Sequence, residues 1–243
     1  GVISFNDRYG GLIEFTKKLV LWHACRLSNE DIHSNGSLKL AKTFFNDEFM
    51  KLNASRTFYA WWKDTMVSPF VASQFLWSFK EIFPLLEKAN CAFHSSSPKW
   101  QTGNLFTWYK NVDHRTDESS ILEDWRTVFP YILTGLRPKG IDGPGVNDEV
   151  IDCVADLVRS ISNYTSDESD MGFLQDIAYP GVLHEYLNSI GDPLIVKFNA
   201  EMKGLYDAIN DCDLKRLTDA YLNTEVLRYL WGTAYHYISF ERL

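Results

Sequence analysis

Arg56–Lys88 reads RTFYAWWKDTMVSPFVASQFLWSFKEIFPLLEK, and the fold class turns on it. Phe58, Tyr59, Trp61, Trp62, Phe70, Phe75, Trp77, Phe79 and Phe83 crowd into this one segment. Large aromatic side chains remove much apolar area from water, so they dominate the energetics of a core. Ala72, Phe75, Leu76, Phe79, Ile82, Phe83 and Leu86 recur at spacings of three and four, the mark of an apolar helix face. Phe58, Trp61, Trp62, Thr65 and Met66 do the same. Between the two runs, Ser68 suits a helix cap and Pro69 a first helical position, where its missing N–H has no intrahelical acceptor. The spacing predicts a central, aromatic-rich helix pair at 56–88, divided at Ser68-Pro69, with the rest of the chain packed around it. Pro84 is expected to kink or end the second helix, because it removes a donor and crowds the preceding turn.

Outward from this pair the same helical period recurs. Leu12, Phe15, Leu19 and Trp22 predict a helix to about Leu27, and Leu38, Ala41, Phe44, Phe45 and Phe49 predict a second that begins at Ser37. Residues 1–9 read as a short extended arm or a docking tail, and the Ser-rich stretch 90–104 reads as a loop. Leu105–Tyr109 is a short aromatic piece. Leu122, Trp125, Phe129, Ile132 and Leu133 mark another helix, with Pro130 as a kink. Further helices follow over 150–161, near 171–178, at 182–190, from Asp192-Pro193 to Ile209, and over 214–221. A last one is expected from Thr224, carrying Val226, Leu227, Leu230, Trp231, Ala234 and Ile238. The reading is all-α, a compact irregular array of about ten helices with no alternating strand. A chain of 243 residues forms a single helical domain, 1–243. If it divides, the lobes are 1–136 and 148–243, joined by the Gly/Pro-rich loop 137–147.

The bulk chemistry excludes several functions. A net charge of -8 argues against generic nucleic-acid binding, which depends on Lys and Arg neutralising phosphates. It also argues against docking on an anionic membrane surface. No apolar run is long enough for a transmembrane helix. Cys25, Cys91, Cys153 and Cys212 are far apart and form no CxxC, so spacing indicates free thiols and an intracellular, cytoplasmic setting.

Catalytic signatures are missing: the sequence has no G-x-S-x-G, no P-loop and no G-x-G-x-x-G. His184-Glu185 would begin a zinc motif if His stood four residues after His184, but position 188 is Asn. Asp113-His114 is a lone acid–imidazole pair. Asp148, Asp152 and Asp156 form a carboxylate row on one helix face that could hold magnesium. The same row is the expected solvated side of an amphipathic helix, with Asp at its start favoured by the helix dipole. His23, flanked by Leu19 and Trp22, is either a core histidine or a buried base. Arg228, Trp231 and Tyr235 share one face of the expected last helix and suit a partner groove, since Arg and aromatic residues anchor interfaces. Trp61-Trp62 and Trp108-Tyr109 are further candidates for a binding patch.

Two function classes follow. The first is a helical assembly module that binds a protein partner, or a second copy of itself, through an aromatic-lined groove. The second is a protein that binds or modifies an apolar small molecule in an aromatic-lined helical pocket. No cofactor is called for by any motif.

Overall fold

Between Gly11 and Ser28 charge is confined to Glu14, Lys17, Lys18 and Arg26, and Leu19–Cys25 carries none. These residues form helix α1 (Leu12–Leu27), in which every residue from Leu12 to Cys25 except Glu14 is buried. A helix buried on all sides is the centre of a fold. The computed structural model describes residues 1–52, 54–68, 76–97, 118–136, 144–166, 177–232 and 235–243. Around α1 stand α2 (Asn35–Lys51), α5 (Glu118–Thr134), α6 (Asp148–Ser166) and α9 (Leu214–Leu222), all in contact with it. The short α3 (Phe58–Trp61) runs into a π-helical turn, Trp62–Val67, which also touches α1. Helices α4 (Phe79–Lys88), α7 (Gly181–Ser189) and α8 (Pro193–Asn210) complete the array. One apolar cluster runs from Phe5 and Leu12 through Trp125 and Ile151 to Tyr221 and Ile238.

Local chemistry sets the helix starts. The side chains of Ser34, Thr57, Asp192 and Asp213 accept backbone N–H bonds at the heads of α2, α3, α8 and α9. Each satisfies a donor that the first turn leaves without an intrahelical acceptor. Gly191, at φ 72°, closes the segment after α7. Pro84 and Pro130 lie inside α4 and α5, and neither ends its helix.

The chain is mostly helical, as its periodicity requires, but it also contains a small sheet. Strands β1 (Val2–Asn6), β2 (Cys91–Ser97) and β3 (Tyr235–Arg242) lie in the order β1-β3-β2, both pairs antiparallel. Three expectations change accordingly. The arm at the N-terminus is a strand. The Ser-rich stretch from Cys91 to Ser97 is a strand rather than a loop. The expected last helix is a 3-10 turn at Leu227–Tyr229 followed by β3. In β3 Tyr235 and Tyr237 are exposed while His236 and Ile238 are buried, which is the period of two that a strand requires. Gly232 breaks the run before it: its φ is 66°, and an added Cβ would lie 2.0 Å from the Gly10 carbonyl oxygen. Arg228, Trp231 and Tyr235 therefore share no helix face.

The aromatic segment 56–88 supplies core residues but is not the centre. Its first half is α3 and the π turn. Among the described residues of its second half, helix begins at Phe79, and Trp77 makes a parallel bridge to Asp7. Residues 69–75, Leu105–Tyr109, Asp113-His114, most of the 137–147 loop and residues 171–176 lie outside the described residues. Among the described residues no helix is long and apolar enough to cross a membrane.

Candidate functional site

Residues of α4, β1, β3 and the start of β2 line a groove of about 760 Å³. Ile82, Leu85, Leu86 and Ala89 of α4 form one wall, and Ile3, Phe5 and Phe240 lie opposite. The α4 pattern explains the wall: Phe79, Ile82, Phe83 and Leu86 are buried toward the sheet, while Leu85 sits at the rim, 44% exposed. Trp77, 40% exposed, lines the groove next to the parallel bridge, where its N–H donates to the Asn6 carbonyl and its carbonyl accepts from the Arg8 N–H. Tyr235 and Tyr237 alternate outward from β3, at 64% and 53% exposure. Grouped exposed aromatic and aliphatic side chains of this kind mark interaction surfaces.

A buried acid–imidazole pair adjoins the groove. His236 lines it, with both Asp7 and His236 wholly buried and Asp7 Oδ2 3.6 Å from His236 Nε2. That separation is close enough for charge attraction and too long for a hydrogen bond. Phe5 stacks on the imidazole at 5.2 Å and Phe79 meets it edge-on at 5.2 Å. Asp7 Oδ1 accepts the N–H groups of Tyr9 and Gly10, at 2.9 and 2.8 Å, which fixes the turn after β1. Its Oδ2 has no hydrogen-bond partner. Burial pushes the Asp7 carboxyl up to about 7, against the opposing pull of the two backbone donors and of Arg8.

A second buried charged cluster is built on α1 itself. Lys17 Nζ donates to Glu48 Oε2 at 3.0 Å and to the Arg228 carbonyl at 2.9 Å, and sits 3.6 Å from the Trp231 ring centre. Tyr221 donates to Glu48 Oε1 at 2.6 Å. Trp61 meets Trp231 edge-on at 5.8 Å. Burial draws the Lys17 amine down to about 8, although Glu48 supports its charge, and burial raises Glu48.

The sequence candidates thus separate. Tyr235 lines the groove. Trp61, Trp231 and Arg228 are brought together, but around Lys17; Trp61 is buried and Trp231 and Arg228 half-buried. Trp62 is buried as well. His23 is a buried histidine whose Nδ1 lies 2.9 Å from the Tyr164 hydroxyl. Burial, with Arg26 nearby, lowers its pKa to about 4, so the ring is neutral near pH 7. Asp148 is held by Arg126 at 2.8 Å and by Lys80 at 2.9 Å, and Asp156 pairs with Arg159 at 2.7 Å. Asp152 is exposed. Among the described residues no group of three or more His, Cys, Asp or Glu side chains is placed to hold a metal ion.

Asp7, Trp77, Leu85 and His236 were missed in the sequence. The signal for His236 was the alternation of YHYISF, which a helical reading of the C-terminus hides. Asp7 lies just past the end of β1, two residues beyond Phe5, and like Phe5 it is buried. The chain matches no protein-family model, no curated protein and no solved structure.

Proposed function

We propose that the protein is a binding module that takes up an apolar segment of a partner protein in the groove between α4 and the β1–β3 ladder. The observation behind this reading is the concentration of exposed Ile3, Trp77, Leu85, Tyr235 and Tyr237 around one open, uncharged cleft. Aromatic and aliphatic anchors in a cleft supply most of the energy of a protein interface. The test uses peptides selected on the intact protein from a displayed library of random decapeptides. Peptides that occupy the groove bind wild type and lose about tenfold or more in affinity on Leu85→Asp, which puts a charge at the rim. Leu85 is exposed, so this variant keeps its circular-dichroism spectrum and its melting temperature. Selected peptides that bind the variant as well as wild type would sink the reading.

A second reading rests on the Asp7–His236 pair. The groove volume falls within the roughly 300–1,000 Å³ of small-molecule sites, and such sites combine an apolar lining with a few convergent polar groups. Native mass spectrometry of freshly purified protein decides it. A bound mass of a few hundred daltons, absent after Leu85→Asp, favours the small molecule; a bare chain favours the peptide.

A further inference from the structure

The lining of the groove contains four consecutive residues of β1, Ile3, Ser4, Phe5 and Asn6. Successive side chains of a strand point to opposite faces. Tyr235, His236 and Tyr237 of the central strand β3 line it as well, so consecutive lining does not by itself mark an edge. The hydrogen bonds identify the edge. Gly1 exchanges both of its backbone bonds with Phe240 on β3, at 2.7 and 3.0 Å. Ile3 and Phe5, two and four residues on, face β3 in the same phase, opposite Ile238 and His236. The even residues face away: the Asn6 carbonyl accepts from Trp77, and the Arg8 N–H donates to it. The N–H and C=O groups of Val2 and Ser4 therefore point away from β3, along an edge that has no strand partner among the described residues, and Ser4 lines the groove. Natural edge strands are protected by charge, proline or a bulge. VISFN has no charged residue and no proline, and its pairing with β3 runs without a bulge.

We infer that the partner binds as an added strand: an extended segment of another protein pairs with the open edge of β1 and lays uncharged side chains into the groove. This rests on the partner-binding reading above and specifies its mode. The occupant follows from complementarity. A row of outward donors and acceptors repeating every second residue is matched by the backbone of an extended chain and by no helix face. No lining residue carries a charge except where His236 is protonated, so alternate apolar side chains suit the groove.

The probe is a library-selected decapeptide whose binding Leu85→Asp weakens, used on the full chain. It is resynthesised with single N-methyl groups along its backbone. Strand addition predicts that methylation at alternate positions weakens binding about tenfold or more, while methylation between them does not. It also predicts that the Ser4 amide, fast-exchanging in the free protein, becomes protected from hydrogen exchange in the complex. A peptide that needs Leu85 but tolerates methylation everywhere and leaves Ser4 unprotected would overturn strand addition and leave groove binding standing. Failure to select any peptide sensitive to Leu85→Asp would remove both. If the free protein sediments as a dimer with Ser4 already protected, and Ile3→Asp splits it, the occupant is a second copy and the inference fails in that form.

Discussion

Among the described residues two acid–base pairs are wholly buried, and they are built on opposite plans. Lys17 and Glu48 are each satisfied several times over: the amine by a carboxylate, a carbonyl and the Trp231 ring, the carboxylate by the amine and Tyr221. Asp7 and His236 are just as deeply buried, yet they stand 3.6 Å apart and Asp7 Oδ2 has no hydrogen bond. A fully bonded buried pair ties four elements into one arrangement: α1, α2, α9 and the turn before β3. Beside the groove, burial makes the Asp7 carboxyl hold its proton more tightly than in water and moves its titration toward 7, where a change of pH shifts it. The difference separates architecture from site more sharply than aromatic content does, since Trp61 and Trp231 serve the first pair and Trp77 and Tyr235 flank the second.

The largest effect should come from breaking the satisfied pair. Glu48→Ala leaves a buried ammonium with neither its carboxylate nor that residue's Tyr221 contact. Removing one partner of a buried ion pair costs about 3–5 kcal/mol. Against a total stability of roughly 5–15 kcal/mol that is enough to unfold much of the protein. Urea denaturation measures it, and the double variant Lys17→Met/Glu48→Leu should recover part of the loss, since no charge is then stranded. Full stability in Glu48→Ala would mean that the cluster is not dry. Tyr221→Phe comes next: it removes one hydrogen bond to a charged acceptor, worth about 1.5–3 kcal/mol, and keeps the ring that packs on Phe44 and Phe45.

The Asp7 pair is read by pH instead. Its folded carboxyl titrates near 7 and its unfolded one near 3.8. The raised value means that the folded state holds the proton more tightly. Its stability contribution is therefore complete below about 3.8 and is lost as pH rises toward 7. One proton gives a slope of at most about 1.4 kcal/mol per pH unit. His23 works against it, because its depressed pKa makes stability rise between about 4 and 6.5. Wild type alone therefore shows a muted profile. Asp7→Asn keeps an oxygen for the Tyr9 and Gly10 N–H groups and cannot ionise, so its stability should climb relative to wild type between pH 4 and 7. Parallel profiles for the two proteins would show that Asp7 titrates normally and that the site is wetter than its burial implies.

How far each pair was legible in the sequence follows from its geometry. Helices were readable because a period of three to four recurs over many residues, and the capping of α8 by Asp192 ahead of Pro193 was local enough to be read directly. Strands β1 and β2 are short and their partner is distant in sequence, so their pairing leaves no local signature; the Ser95–Ser239 register is set by β3. Nothing near Lys17 in sequence announces that Glu48 and Tyr221 enclose it, since they come from helices far along the chain. An aromatic-lined groove was expected where Arg228, Trp231 and Tyr235 share a helix face, and a 3-10 turn followed by β3 stands in place of that helix. Tyr235 reached the groove through strand alternation instead.

The exposed carboxylates give the smallest effect and mark where charge stops deciding the fold. Asp148 accepts from Lys80 and Arg126 and so links α4, α5 and α6, with its ordinary pKa lowered first by the hydrogen bond from Arg126 and next by that from Lys80. On connectivity alone it resembles Glu48. It differs in being 60% exposed, where water screens both partners. Asp148→Asn should therefore destabilise less than any variant of the buried pairs, and the loss should disappear in about 1 M salt, where the screening length is about 3 Å. Glu48→Ala should keep its penalty under the same salt, because no ions enter a dry cluster. Equal salt sensitivity in the two variants would remove the distinction between buried and exposed pairs on which the assignment of architecture and site depends. Adding magnesium to wild type and to Asp152→Asn sharpens the same point, since a row that is only a solvated face gives no melting shift in either protein.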